Sequence, residues 1–288
     1  MSQQGADRFS VIHEDLQYLA GHLAHRSANT DNERTSAQYI AGRMRRFIPN
    51  TTVDDFYTAE APWVIFGSYY GEFFIVSLLA IWWPKVALCY GAIVFLAHLA
   101  EVVGYRLLSR FMPQYESQNV VGHIMSTKPE RTLIITTHYD SPMKTASDKS
   151  AGRLSTTVKA VMVCMAVVLI TCALQVLDVG PSHALLVTRW TATVLLVGAA
   201  GFMMYASSLG EDSRGANDNA SGVAALLQMA ERLAAEPPQH ADVYLVATGS
   251  NQCWMSGMRH FLESQEFDRE STYFLNIDTV GSGTLSYT

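Results

Sequence analysis

Four apolar runs, grouped in two pairs, constrain this chain more than any other feature. Trp63 to Trp83 and Val86 to Tyr105 are separated only by Pro84-Lys85, and Ala160 to Leu177 and Ala184 to Ala206 flank a short polar turn. Each is close to the roughly 20 residues that cross a bilayer core as a helix. The alternative is a buried core helix, but such a helix normally carries a polar stripe and these runs carry almost none. The reading is two transmembrane helical hairpins, four spans in all, at 63–109 and 158–207. Trp63, Trp82, Trp83, Tyr105, Trp190 and Tyr205 fall near the run ends, where an interfacial aromatic belt is expected.

Composition agrees. The chain of 288 residues is 49% hydrophobic and only 16% charged, greasy for a soluble protein. Two hairpins leave the polar segments on one side of the membrane. Arg106, Arg110, Lys149, Arg153 and Lys159 on that side, against Lys85 and Arg189 in the tips, point to a cytoplasmic globular part of a multi-pass integral membrane protein. The polar start, Met1 to Asp7, reads as an uncleaved cytosolic beginning without a secretory signal. A formal charge of -6 offers no basic footprint, so no nucleic-acid partner is expected. Cys89, Cys164 and Cys172 read as packing residues and Cys253 as a thiol near a site; their spacing fits neither a zinc knuckle nor a disulfide scaffold. Glu72 and His98 fall at similar depth in the first pair of spans, so they either pair across that hairpin or face the other one. Glu101 is a further ionisable group in the second span.

The polar segments read as α/β. Residues 9–47 show helical spacing through Ile12, Leu16, Leu19 and Leu23, then Ala37, Ile40, Met44 and Phe47, with a helix start at Thr30-Asp31-Asn32-Glu33. Ser117–Ile124 and Thr132–Thr137 read as adjacent core strands, Asp242–Ala247 and Thr272–Ile277 as further strands, and Gly222–Glu236 and Met255–Gln265 as helices. Strands alternating with helices imply a sheet covered on both faces. The chain thus divides into 1–62, a helical part; 63–109, the first hairpin; 110–157, core strands; 158–207, the second hairpin; and 208–288, the rest of the core.

Chemistry concentrates where these strands end. Thr136-Thr137-His138-Tyr139-Asp140, Gly215-Ala216-Asn217-Asp218, the amide pair Asn251-Gln252 and Leu275-Asn276-Ile277-Asp278 come in that order. Ligands gather at the carboxyl ends of strands in such sheets. Alone, His138 is an ordinary core histidine, Asp218 an N-cap and Asp278 a strand end; together, in context, they resemble the co-catalytic zinc aminopeptidases of metallopeptidase family 28.

That resemblance implies an aminopeptidase-like mixed sheet and hydrolysis of N-terminal residues from peptides. It implies zinc, with His138, Asp218 and Asp278 as ligands and Asp140 orienting His138. In the family, two glutamates stand at the third of these motifs: one moves the proton of the attacking water, the other holds a second zinc. Here Asn251 stands at the general-base position and Gln252 at the second-metal position. A neutral amide does not take up a proton. Trp254 and Met258 also stand where relatives usually have glycine and serine, and the chain ends at Thr288 with no further histidine for a second metal. One zinc and a degenerate second site are therefore expected. The candidate functions are an impaired metallo-aminopeptidase acting on a peptide substrate, a catalytically inactive scaffold that binds a protein partner, and a one-zinc acyl transferase, the last lacking an acidic proton shuttle at Asn251. A lipid bilayer is the remaining expected partner.

Overall fold

The computed structural model describes residues 3–59, 62–144, 151–284 and 286. Lys149, counted above as a flanking charge, lies outside these, as do Met1, Ser2 and Thr288. The chain separates into two compact units, one of residues 1–58, 114–143 and 212–288 and one of residues 59–113 and 144–211.

The first unit holds the five sheet strands almost entirely: β1 (Thr51–Ala59, whose last residue falls in the second unit), β2 (Gln114–Ile124), β3 (Arg131–His138), β4 (Ala241–Thr248) and β5 (Thr272–Asn276), in the spatial order β1-β2-β4-β3-β5. β4 runs antiparallel to β2 and parallel to β3, and β5 runs parallel to β3. The expectation that β2 and β3 are adjacent is corrected, because β4 lies between them. The cause is burial. Val243, Leu245, Val246 and Ala247 are all inaccessible, and a strand that is apolar on both faces gains most at the centre of a sheet.

Alternation along the strands sends side chains to opposite faces. Val120, Ile135, Val243, Leu245 and Ala247 pack on one face with residues of α1 (Gln3–Gln17), α2 (Asp31–Met44) and α7 (Ser221–Ala235). Val121, Ile134 and Val246 pack on the other with Phe261 of α8 (Ser256–Ser264). The result is a mixed five-stranded sheet with helices on both faces. β1 is the strand of this five-stranded sheet that pattern reading missed. It sits at the sheet edge and carries Asp54 and Asp55 in mid-strand, which suit an edge but erase the apolar alternation.

The second unit contains α3 (Pro62–Trp82), α4 (Pro84–Val103), α5 (Ala151–Val176) and α6 (Ser182–Ser208). α3 packs against α4 and α6, and α5 against α4 and α6, around Phe73, Val76, Met165, Val168 and Leu196. Within these helices four stretches are long and apolar enough to cross a membrane: Val64–Trp82, Pro84–Val103, Lys159–Val176 and Ser182–Tyr205.

Three details of this bundle correct the sequence reading. Glu72 does not pair with His98; it accepts a hydrogen bond from the Tyr90 hydroxyl at 2.5 Å. His98 is buried among the rings of Phe66, Tyr69 and Tyr70, so it faces α3 of its own hairpin. Glu101 accepts from the Tyr69 hydroxyl and from the backbone N–H groups of Leu107 and Leu108. Helical rotation explains the mismatch, because equal depth does not put two side chains on facing sides. Arg189 is not in a tip either: it lies within α6, buried, and donates to Gln175 Oε1 at 2.6 Å, while Gln175 donates to the Ala80 carbonyl at 3.0 Å. Finally, Cys89 is exposed and so is not a packing residue, whereas Cys172 and Cys253 are buried.

Candidate metal centre

Parallel register aligns the carboxyl ends of β3 and β4, with His138 beside Thr248, and β5 places Asn276 beside Thr136. Three loops therefore leave the sheet at the same end, where these parallel strands finish. His138 closes β3 and is 6% exposed. Its Nδ1 lies 3.1 Å from the Asp140 carbonyl and 3.3 Å from Asp140 Oδ1. Its Nε2 lies 3.3 Å from Asp218 Oδ1 and 3.5 Å from Asp278 Oδ1.

Asp218 does not cap α7. It lies in a kinked turn, Ala216–Ala220, with non-helical φ -117° and ψ 89°, ahead of a helix whose first residue is Ser221. The peptide bond between Asp218 and Asn219 is cis. Gly215 makes the turn possible: its φ is 58°, and a Cβ there would lie 2.5 Å from the Asp218 carbonyl oxygen, 2.6 Å from Ser141 Cβ and 2.8 Å from an Arg26 nitrogen. Asp278 follows β5 directly after Ile277, whose N–H donates to the Thr136 carbonyl at 2.8 Å.

His138, Asp218 and Asp278 offer one nitrogen and two carboxylate oxygens, all within 4.8 Å of one another. Burial works against an imidazolium here, but Asp140, Asp218 and Asp278 outweigh it and hold His138 up to about 11. The same contact, against partial burial, keeps Asp278 below the usual carboxylate range. One neutral imidazole and two carboxylates balance a divalent cation, and Asp140 occupies Nδ1 so that Nε2 is the free ligand atom. The donor set fits zinc, whose nitrogen and oxygen ligation matches it.

The loop bearing the amide pair is held by its backbone. Asp140, itself inaccessible, accepts from the Gln252 N–H at 2.9 Å through Oδ2. Asp140 thus binds both the His138 ring and the Gln252 peptide. Neither the Asn251 nor the Gln252 side-chain amide has a hydrogen-bond partner among the described residues; Asn251 is half-buried and Gln252 exposed.

Two buried ionisable side chains beside these loops, Arg26 and Glu33, went unread as site residues in the sequence. Arg26 is inaccessible and donates to the carbonyls of Tyr139 at 2.8 Å, Leu19 at 2.5 Å, Arg214 at 2.7 Å and Gly215 at 3.0 Å. It joins the chain after His138 to the chain before Asp218. Burial pulls its guanidinium down to about 10, against the opposing charges of Asp140 and Asp218. The other is Glu33, 1% exposed, which accepts from the Asn29 N–H at 2.7 Å and from the Ser250 N–H at 2.6 Å. A signal for Glu33 was present, since Thr30 caps α2 and accepts from the Glu33 N–H at 3.3 Å, in the manner of a capping box. Its second partner, Ser250, is remote in sequence. Arg26 had no comparable local signal.

Residues 196–288 match the family model described as Peptidase family M28. The matched segment includes Asp218, Asn251, Gln252 and Asp278 and leaves His138 and Asp140 outside. No curated protein matches the chain. Among solved structures, the chain is similar to a zinc aminopeptidase from Bacillus subtilis at 14% identity and a TM-score of 0.48, covering 94% of this chain and 69% of that one. It is similar to a Zn-dependent exopeptidase from Parabacteroides distasonis at 13% identity and a TM-score of 0.48, covering 94% and 62%. A glutaminyl cyclase from an Acidobacteriales bacterium gives 14% identity and a TM-score of 0.46, covering 94% and 58%. The chain therefore spans 69%, 62% and 58% of those structures.

Proposed function

We propose that this chain is a divergent, membrane-embedded relative of the family 28 zinc aminopeptidases, with one zinc held by His138, Asp218 and Asp278. The observation that carries the reading is the meeting of His138, from outside the matched segment, with Asp218 and Asp278 inside it, at 3.3 and 3.5 Å. The substrate class is a peptide with a free N-terminus. A bound zinc supplies Lewis-acid polarisation of the scissile carbonyl. Asp140 fixes the imidazole so that Nε2 faces the metal position. The neutral amides of Asn251 and Gln252 cannot take up the proton of an attacking water at neutral pH, so peptide hydrolysis by this chain is slow.

Membrane embedding is supported by the outer surface of the helical unit. Ile93, Leu96, Val194 and Phe202 are 60–66% exposed, so the bundle is apolar outside as well as inside, as lipid contact requires and water does not favour. The globular part is assigned to the cytoplasm on the flanking arginines and lysines. A second reading is favoured by the uncharged side chains of Asn251 and Gln252. It makes the chain a non-catalytic binding protein on the same fold.

Elemental mass spectrometry of the detergent-purified protein, beside His138→Ala, tests the first reading. One zinc per chain that disappears in the variant supports it. Metal content near zero in the wild type sinks it and leaves the binding-protein reading.

A further inference from the structure

Asn219, next to Asp218 in sequence, is completely buried. Its Nδ2 donates to Thr137 Oγ1 at 2.8 Å and to the Ile277 carbonyl at 3.2 Å. Its Oδ1 accepts from the N–H groups of Gly222 at 3.2 Å and Thr279 at 3.0 Å. The Thr137 hydroxyl, also buried, donates in turn to the Ile277 carbonyl at 2.9 Å.

These partners are the chain neighbours of the three ligands. Thr137 precedes His138, Asn219 follows Asp218, and Ile277 and Thr279 flank Asp278. An ordinary capping amide explains only the bond to Gly222, in the first turn of α7. The other bonds cross to the ends of β3 and β5. The contact is tight: a Cβ on Gly222 would lie 2.5 Å from both Asn219 Oδ1 and Thr137 Oγ1. Buried networks with every group satisfied hold their members in one arrangement.

We propose that Asn219 and Thr137 are positioning residues that set the spacing of His138 Nε2 and the Asp218 and Asp278 oxygens, and so the affinity and geometry of the divalent cation site. The proposal rests on the reading of these three residues as a zinc site. Thr137→Val keeps the side-chain shape and deletes the hydroxyl; Thr137→Ser restores it; Asn219→Ala deletes the other member.

Zinc affinity of the detergent-purified chain is measured by chelator competition, with visible absorption of the cobalt(II)-loaded protein as a report on coordination geometry. Melting of the metal-free forms separates general loss of stability. Thr137→Val and Asn219→Ala are expected to weaken zinc binding about 10- to 100-fold and to alter the cobalt spectrum, as loss of partners behind metal ligands does, while Thr137→Ser stays within about threefold of wild type. A Thr137→Val protein with wild-type affinity and spectrum overturns this proposal alone. So does a Thr137→Ser protein that loses as much as Thr137→Val. A wild type that binds no zinc overturns the zinc reading and this proposal with it.

Discussion

Glu33 in α2 accepts the backbone N–H of Ser250 at 2.6 Å, so a buried carboxyl group from the N-terminal part of the chain fixes the start of the loop that carries Asn251 and Gln252. Asp140 holds the next turn of that loop through the Gln252 N–H. Two acids thus set the loop backbone and leave its two side-chain amides without partners among the described residues.

The first prediction concerns pH and Glu33. Burial, with the Asp140 charge adding, pushes Glu33 from 4.5 up to about 8. Between these values the folded metal-free protein keeps a proton that the unfolded chain releases. Stability therefore falls as pH rises across this window, by at most about 1.4 kcal/mol per unit from this group. Glu33→Gln is expected to flatten that part of the curve. Chemical denaturation with chelator at several pH values checks it, and parallel wild-type and variant curves would count against it.

His138 leads to a second expectation. Held up to about 11 by its three carboxylate neighbours, it carries a proton in the metal-free site at neutral pH. Zinc must displace that proton, so affinity rises with pH and about one proton is released per zinc near pH 7. Calorimetric titration in buffers of different ionisation enthalpy measures the number. Binding without proton release contradicts the assignment of Nε2 as a ligand.

Removal of the Arg26 side chain should be costly. Arg26→Met takes the guanidinium away from four backbone carbonyls, of which that of Gly215 keeps the Ala220 N–H, and is expected to destabilise the protein by on the order of 3 kcal/mol. It also frees the chain on either side of the ligand cluster, so zinc content should fall with stability. A melting temperature close to wild type argues that water replaces the guanidinium.

Returning acids to the amide loop tests the catalytic reading. The double change Asn251→Glu and Gln252→Glu is expected to raise hydrolysis of aminoacyl anilides by about 10²- to 10⁴-fold, the usual contribution of a positioned base. No gain in a protein that has bound metal favours the binding-protein reading.

Membrane embedding predicts resistance to extraction. The chain should remain in the membrane pellet through alkaline carbonate and high salt. Ile93→Arg, on an outward position of α4 that is 66% exposed, should impair insertion by about 2.5–3.5 kcal/mol if it lies near mid-bilayer. Release of the wild type by carbonate rules out the four-span reading.

Much of this was legible along the chain. The apolar runs became α3 to α6 because run length and the lack of a polar stripe are properties of consecutive residues. β3, β4 and β5 were readable for the same reason, and so was the placement of His138 and Asp278 at strand ends. β1 was not, because an edge strand tolerates Asp54 and Asp55 and loses its pattern.

The sequence alone determined most element types and the apolar helical pairs, since each depends on spacing between near neighbours, and the order of its motifs, through their resemblance to a known family, supplied the ligand candidates. Only the tertiary structure decided that β4 separates β2 from β3, that Glu72 meets Tyr90 rather than His98, and that Arg26, Glu33 and Asn219 support the site. Those outcomes depend on which buried carbonyls, N–H groups and carboxylates are left needing a partner once distant segments have packed. A buried polar group takes the partner that packing brings to it, whatever the separation along the chain.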